Sequence, residues 1–561
     1  MRNIQRHFIL FLALLVATQG VSIAQHSSFH IGVSTKIIDG LFAPYDQIKP
    51  GDTLILEKGV KEYMIFRNLS GDENLVITII NGQGQVIIDT EHYFGISVRN
   101  CRYIRLTGSG DEAHEYGISI QRVLNGGGLG IGSGSSDVEV DHIAVMHCAG
   151  VGINAKTDPD CSYTTTRDKF TQFNTHIHHN YISDVDFEGM YIGSTKYFGQ
   201  MINCNCSDTL LLPSLLNGVK IHDNIIHNTG WDGIQVSSAS TNCEIFRNIV
   251  TRDSNGEVFA QMSGILLGGG SDCDCFNNFI ADGKGTGIES HGLGGYRIFN
   301  NIIKNAGISY LPGDQNARKY GIYISDITLH PDSSIHILHN TIINPKSDGI
   351  RFTDIPGMYH SVVNNVIINP GNYWNYENDN SPYEGIDAYV MLQNTETPVF
   401  ISNNFFSLDI GSAHFANDEF ALSADSPLID SGNAYMQPVH FDFYGYSRPG
   451  GSRPDIGAFE FHEENLDADV FAGNAGRDMN AFLTQENGRY ALHFTVERSG
   501  TVYVNIYNLS GALIQQHKVS AYQSELNTLR LGYGHFKAGI YAYLIQNEYG
   551  TSLSGKFFAG E

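Results

Sequence analysis

Glu289 and His291 stand two positions apart in GIESHGLGG, with glycines on both sides that allow close approach. A histidine beside a carboxylate can be tuned to act as a general base. Two later segments, GIYIS and GIRFT, put Tyr323 and Arg351 at the position that Glu289 holds in its own. His291 or Tyr323 as base, with Arg351 to neutralise a neighbouring carboxylate, is what removal of a proton next to that carboxylate requires. The competing reading is a Glu–His hydrogen bond on an ordinary solvated face. A second set contains only carboxylates. Glu188 and Asp232 each precede a glycine in adjacent segments, and paired carboxylates about 5 Å apart, or about 6.5–9.5 Å apart, serve glycoside hydrolysis. The same Asp-Gly or Glu-Gly step recurs at Asp348 and Glu384, which favours a turn role. Glu289 and Asp387 fall three segments apart, roughly 14 Å, too far to cooperate.

These residues belong to a repeat. A Gly-Ile or Gly-Met phrase recurs at Gly95, Gly117, Gly152, Gly189, Gly233, Gly264, Gly287, Gly321, Gly349 and Gly385. An Asn-x-Ile/Val phrase recurs at Asn180, Asn224, Asn248, Asn278, Asn301, Asn340, Asn365 and Asn404. Both read as short strands of period 2, punctuated by turn residues. The shortest spacings are 22 residues, from Gly95 to Gly117, and 23, from Gly264 to Gly287. That is the period of a solenoid coil, and longer spacings add a loop. The asparagines suit bends, where the amide bonds backbone, and stacked copies can form a ladder. The fold predicted is a single-stranded right-handed parallel β-helix.

Alternation after each glycine then sets two outward rows. The first runs Ser97, Ser119, Asn154, Tyr191, Gln235, Leu266, Glu289, Tyr323, Arg351, Asp387. The second runs Arg99, Gln121, Lys156, Gly193, Ser237, Gly268, His291, Ser325, Thr353, Tyr389. Aromatic rings, amides and charges around bare Gly193 and Gly268 are what a sugar-binding groove needs. Lys156, Tyr191, Gln235, Glu188, Asp232 and Arg318 are therefore substrate-binding candidates. Lys284, Arg297 and Lys319 are further cations near the same stretch.

Composition excludes other classes. A net charge of −25 argues against nucleic acid and anionic membranes as partners. Residues 1–25 carry Arg2, Arg6, an apolar run from Phe8 to Ala17 and a small-residue cleavage site, the signature of an export signal. The run is too short to span a bilayer. Gly126–Gly134 lacks the lysine of a phosphate loop. The cysteine spacings are wrong for zinc, and HIHHN at His176–Asn180 reads as a strand, so no metal is expected; His176 and His178 share one face of that strand, where an adventitious metal is the lesser alternative. A calcium ion is the one cofactor alternative left open. Cys243 and Cys273 should stack as buried small side chains, with a disulfide second; a loop-pinning disulfide is plausible among Cys161, Cys204 and Cys206.

The tail carries two resemblances. DSPLIDSG and FDFYGYSRPGGSRPDIGAFEF resemble the closing segment of bacterial β-helix domains, which implies structural roles for Asp430, Asp442, Arg448, Arg453 and Asp455. GTVYVNIYNLSGALI, AGIYAYL and a final GKFF resemble the C-terminal sorting domain of type IX secretion, a Bacteroidota exporter. That resemblance implies type IX machinery as a partner and a secreted or cell-surface location. The expected layout is signal peptide 1–25, β-helix with end cap 26–462, linker 463–475 and β-sandwich 476–561. As a whole the chain resembles secreted pectin-lyase-like β-helix proteins that act on polysaccharides. The resemblance implies a monomeric polysaccharide lyase acting by β-elimination on a uronate-containing glycan. A glycoside hydrolase comes second, and a non-catalytic glycan-binding adhesin is the rival.

Overall fold

A computed structural model of the chain describes residues 26–311, 318–353, 357, 359–371, 389–417, 420–434 and 438–462, and strand segments between 481 and 559. The segments expected as signal peptide and linker, and Glu384, Gly385 and Asp387, lie outside the described residues.

The chain winds as a right-handed parallel β-helix. Three parallel sheets of 13, 12 and 12 strands run its length. We number them by one coil: Thr286–Ser290 lies in sheet 3, Arg297–Phe299 in sheet 1 and Ile302–Lys304 in sheet 2. The strands are short because each coil turns three corners, and their inward aliphatics stack into one column. Ile234, Ile265, Ile288, Ile322 and Ile350 are paired in register through that column and have no exposure.

The two repeated phrases have separate physical causes. The asparagines make a ladder at the corner between sheets 1 and 2. The backbone N–H and the side-chain Nδ2 of each donate to Oδ1 of the next, from Asn180 through Asn224, Asn248, Asn278, Asn301, Asn340 and Asn365 to Asn404. The residue before each is in the left-handed region, as at Asn277 (φ 54°) and Asn300 (φ 53°), which turns the chain. The glycines are required by close approach. A Cβ at Gly233 would lie 2.5 Å from Gly264 O, one at Gly264 would lie 2.8 Å from Gly287 O, and one at Gly287 would lie 2.6 Å from Gly321 O.

Two disulfides are present, Cys161–Cys204 and Cys243–Cys273. The second corrects the expectation of two unbonded side chains: in-register pairing of Cys243 with Cys273 brings their Cα atoms to 4.4 Å, within bonding reach. The last coils are closed by residues 438–462. There Arg448 is buried against Glu460, and Asp442 accepts backbone N–H bonds from Tyr444, Tyr446 and Glu460. The C-terminal strands form antiparallel sheets of three and four strands with a common core of Leu492, Phe494, Val502, Val504, Ile506 and Ile545. Among the described residues, no helix is long and apolar enough to cross a membrane.

Candidate functional site

Sheet 3 brings the central row together. Asn154, Tyr191, Gln235, Leu266, Glu289, Tyr323 and Arg351 are successive register partners. The ends of the row differ from expectation. Ser119 and Gln121 lie on Ile118–Val123 in sheet 2, and Gly130, from the glycine-rich run, fills the place next to Ser97. Two glycine phrases fall within that single coil, which spacing alone could not separate. At the other end Arg351 pairs with Met391, and Tyr389 is buried in the core.

The face is more enclosed than expected. Gln235 is 1% exposed and Leu266 7%. The two glycines are closely packed instead of open floor: a Cβ at Gly193 would lie 1.8 Å from Ser237 O, and one at Gly268 would lie 2.0 Å from Ser237 Oγ. Gln235 Nε2 and Ser237 Oγ are buried here without a hydrogen-bond partner among the described residues. Unmatched buried donors are costly, and neither atom is open to solvent.

A continuous polar chain crosses the site. Gln261, with its amide turned so that nitrogen faces the acids, donates to Glu188 Oε1 (3.2 Å) and Asp232 Oδ2 (3.3 Å). The Ser263 N–H donates to Asp232 Oδ1 (2.7 Å), and its hydroxyl donates to Glu289 Oε2 (2.8 Å). Glu289 Oε1 is 3.0 Å from His291 Nε2, and His291 Nδ1 meets the Ser325 hydroxyl. Glu289 and His291 are its accessible end, with side chains 23% and 19% exposed.

The carboxyls in this chain are tuned apart. Burial pushes Glu188 up to about 7 and Asp253 to about 6. Burial, then the charges of Glu289 and Glu188, raise Asp232 well above the carboxylate range. Burial also works against Glu289, but His291 and the Ser263 hydroxyl outweigh it and hold Glu289 below its ordinary value. Lys319, lowered by burial, faces Glu289, Asp232 and Asp253. One environment thus keeps protonated and ionised carboxyls side by side, the condition for acid and base work at neutral pH.

The remaining candidates take other positions. Arg351 pairs with Asp348 (3.0 Å) and lies over the Tyr320 ring, which stacks on Tyr323. Lys156 lies over the Tyr191 ring and pairs with Asp158. Arg318 acts electrostatically on Tyr320. Lys284 pairs with Glu257, and Arg297 is on sheet 1, away from this face. Sequence reasoning missed Asp253, Gln261 and Ser263, and named Lys319 only as one of several cations nearby. Ser263 was findable, since it precedes Gly264 as Asp232 precedes Gly233. Asp253 and Gln261 sit in a loop whose return to the face has no periodic signal.

The family model described as "Right handed beta helix region" matches residues 215–406. No curated protein matches the sequence. Among solved structures, the chain is similar to pectate lyase Pel9A at 14% identity and a TM-score of 0.40, over 79% of this chain and 98% of that one. It is similar to XylC in complex with xylose at 10% identity and a TM-score of 0.39, over 90% and 100%. It is similar to an alginate lyase from Paenibacillus sp. str. FPU-7 at 14% identity and a TM-score of 0.30, over 58% and 94%.

Proposed function

We propose that this protein is a secreted, polysaccharide-active β-helix enzyme that cleaves glycosidic bonds at the polar chain on sheet 3. The observation that carries the reading is the opposed tuning of Glu188 and Asp232 against Glu289. In the reading favoured here the reaction is hydrolysis. Glu289, oriented by His291 and Ser263, takes a proton from water as it attacks the anomeric carbon. A protonated carboxyl of the Glu188–Asp232 pair, Asp232 at two coils from Glu289 with Glu188 behind it, gives a proton to the leaving oxygen. Tyr191 offers a ring face to the sugar.

A second reading, β-elimination on a uronate, rests on Lys319, whose lowered pKa suits a base, and on Tyr323. The acid cluster around Lys319 disfavours an anionic sugar, and Arg351 is already engaged by Asp348. The test is a polysaccharide panel read by reducing ends and by absorbance of unsaturated uronate. Reducing ends alone establish hydrolysis, and reducing ends with absorbance establish elimination. Glycan binding with neither signal overturns the enzyme in favour of an adhesin. The export signal read at residues 1–25 and the tail's resemblance to a type IX sorting domain support a location outside the cell, which fractionation of the native host checks.

A further inference from the structure

On sheet 1, a different sheet from the site above, the outward rows gather imidazoles. One row runs Arg105, Glu139, His176, Lys220. The next runs Thr107, Asp141, His178, His222, Phe246. Oε1 of Glu139 is 3.2 Å from His178 Nε2. His176 Nε2 is 2.6 Å from His222 Nε2. One donor atom from each of Glu139, His176 and His178 lies within 4.8 Å of the other two. Donors around a tetrahedral zinc-class ion, each at about 2.0–2.1 Å, are about 3.3 Å apart, so small side-chain rotations close this set on a cation.

We propose that Glu139, His176 and His178, with His222 as fourth donor, bind one divalent transition-metal ion of the zinc class. Neutral imidazoles and one carboxylate are the donor set such ions prefer. The supporting shell is present. His178 Nδ1 contacts His179 Nδ1 (2.8 Å) and His222 Nδ1 contacts Asp223 Oδ2 (2.6 Å), which leaves both Nε2 atoms toward the cluster. Arg105 now shares Glu139 (3.1 Å), but it bonds Asp141 more closely (2.8 Å) and keeps a partner when Glu139 turns to the metal. The ligands come from three successive coils, so the ion would clip Ser136–Asp141, Thr175–His178 and Lys220–His222 together. His176 also lines a groove of about 700 Å³ with Asn174, Lys220, Glu244 and Asp274, which gives the ion an entry path.

The competing explanation is that His178 and His222 only extend an aromatic stack. His178, His222, Phe246, Phe276 and Phe299 lie nearly parallel, with centroids 4.7–4.9 Å apart. His178→Phe separates the two, because it keeps the ring and removes the donor. The EDTA-treated full chain is titrated with Zn²⁺ by calorimetry and with Co²⁺ by visible absorption. The expected result is one ion per chain and a tetrahedral cobalt spectrum. His178→Phe and His176→Gln should each weaken binding at least tenfold, with the melting temperature of the metal-free protein unchanged. Absence of stoichiometric binding in the wild type overturns the proposal, as does equal affinity in wild type and both variants.

Discussion

Ser263 joins two carboxyls of opposite character, and its neighbours carry the sharpest expectations. Glu289→Gln should lower kcat on the active glycan by at least about 100-fold with little change in KM, since general-base work is worth roughly that much. Loss confined to KM would make Glu289 a binding residue instead. Glu188 also makes a stability prediction. Its carboxyl rises from 4.5 to about 7, so between these values the folded state keeps a proton that the unfolded chain has released. Stability is therefore greatest below pH 4.5 and falls as pH rises through 7, by up to about 3 kcal/mol for this group. Asp253 at about 6 and Glu460 at about 7 add the same sign. Melting curves from pH 4.5 to 8 should fall less steeply in Glu188→Gln than in wild type. At this scale Glu289 and His291 were legible because strand alternation places them. Gln261 was not, because a loop's return path leaves no period in the sequence.

At the level of the repeating element, the asparagine ladder makes the strongest claim. Asn278 donates to Ile245 O and Asn301 Oδ1, and its Oδ1 accepts from the backbone and side chain of Asn248. Asn278→Ala would leave buried backbone groups unmatched in two coils, at a cost of about 2–4 kcal/mol. Chemical denaturation should show it, and a loss under 1 kcal/mol would mean that water replaces the amide. The disulfides are checked by counting thiols in denatured protein. Cys101, Cys148, Cys206 and Cys275 should react without reductant and all eight cysteines with it. The ladder and the glycine column were readable as repeats because each coil imposes one steric demand at one place. The Cys243–Cys273 bond was read as burial because stacked register allows both outcomes and the residue type does not choose. The glycine run Gly126–Gly134 was passed over as a strand because it has few of the β-branched residues that mark one.

Across the whole molecule, the β-helix and the C-terminal strands have separate cores. Calorimetry of the mature chain should show two transitions, and residues 26–462 alone should reproduce the one assigned to the β-helix. A single transition lost on truncation would show the two units to be interdependent. The amide ladder sets a further condition on how such a chain changes length. From Asn278 to Asn301 is 23 residues, one turn that restores every hydrogen bond it interrupts. An insertion inside a corner breaks the line, whereas one in a loop between strands leaves it intact. Lineages of this architecture should therefore vary by whole turns or by loops. A lost turn would move Gln235 and Glu289 closer by one strand spacing, about 4.8 Å, and would take Leu266, which stands between them, out of the row.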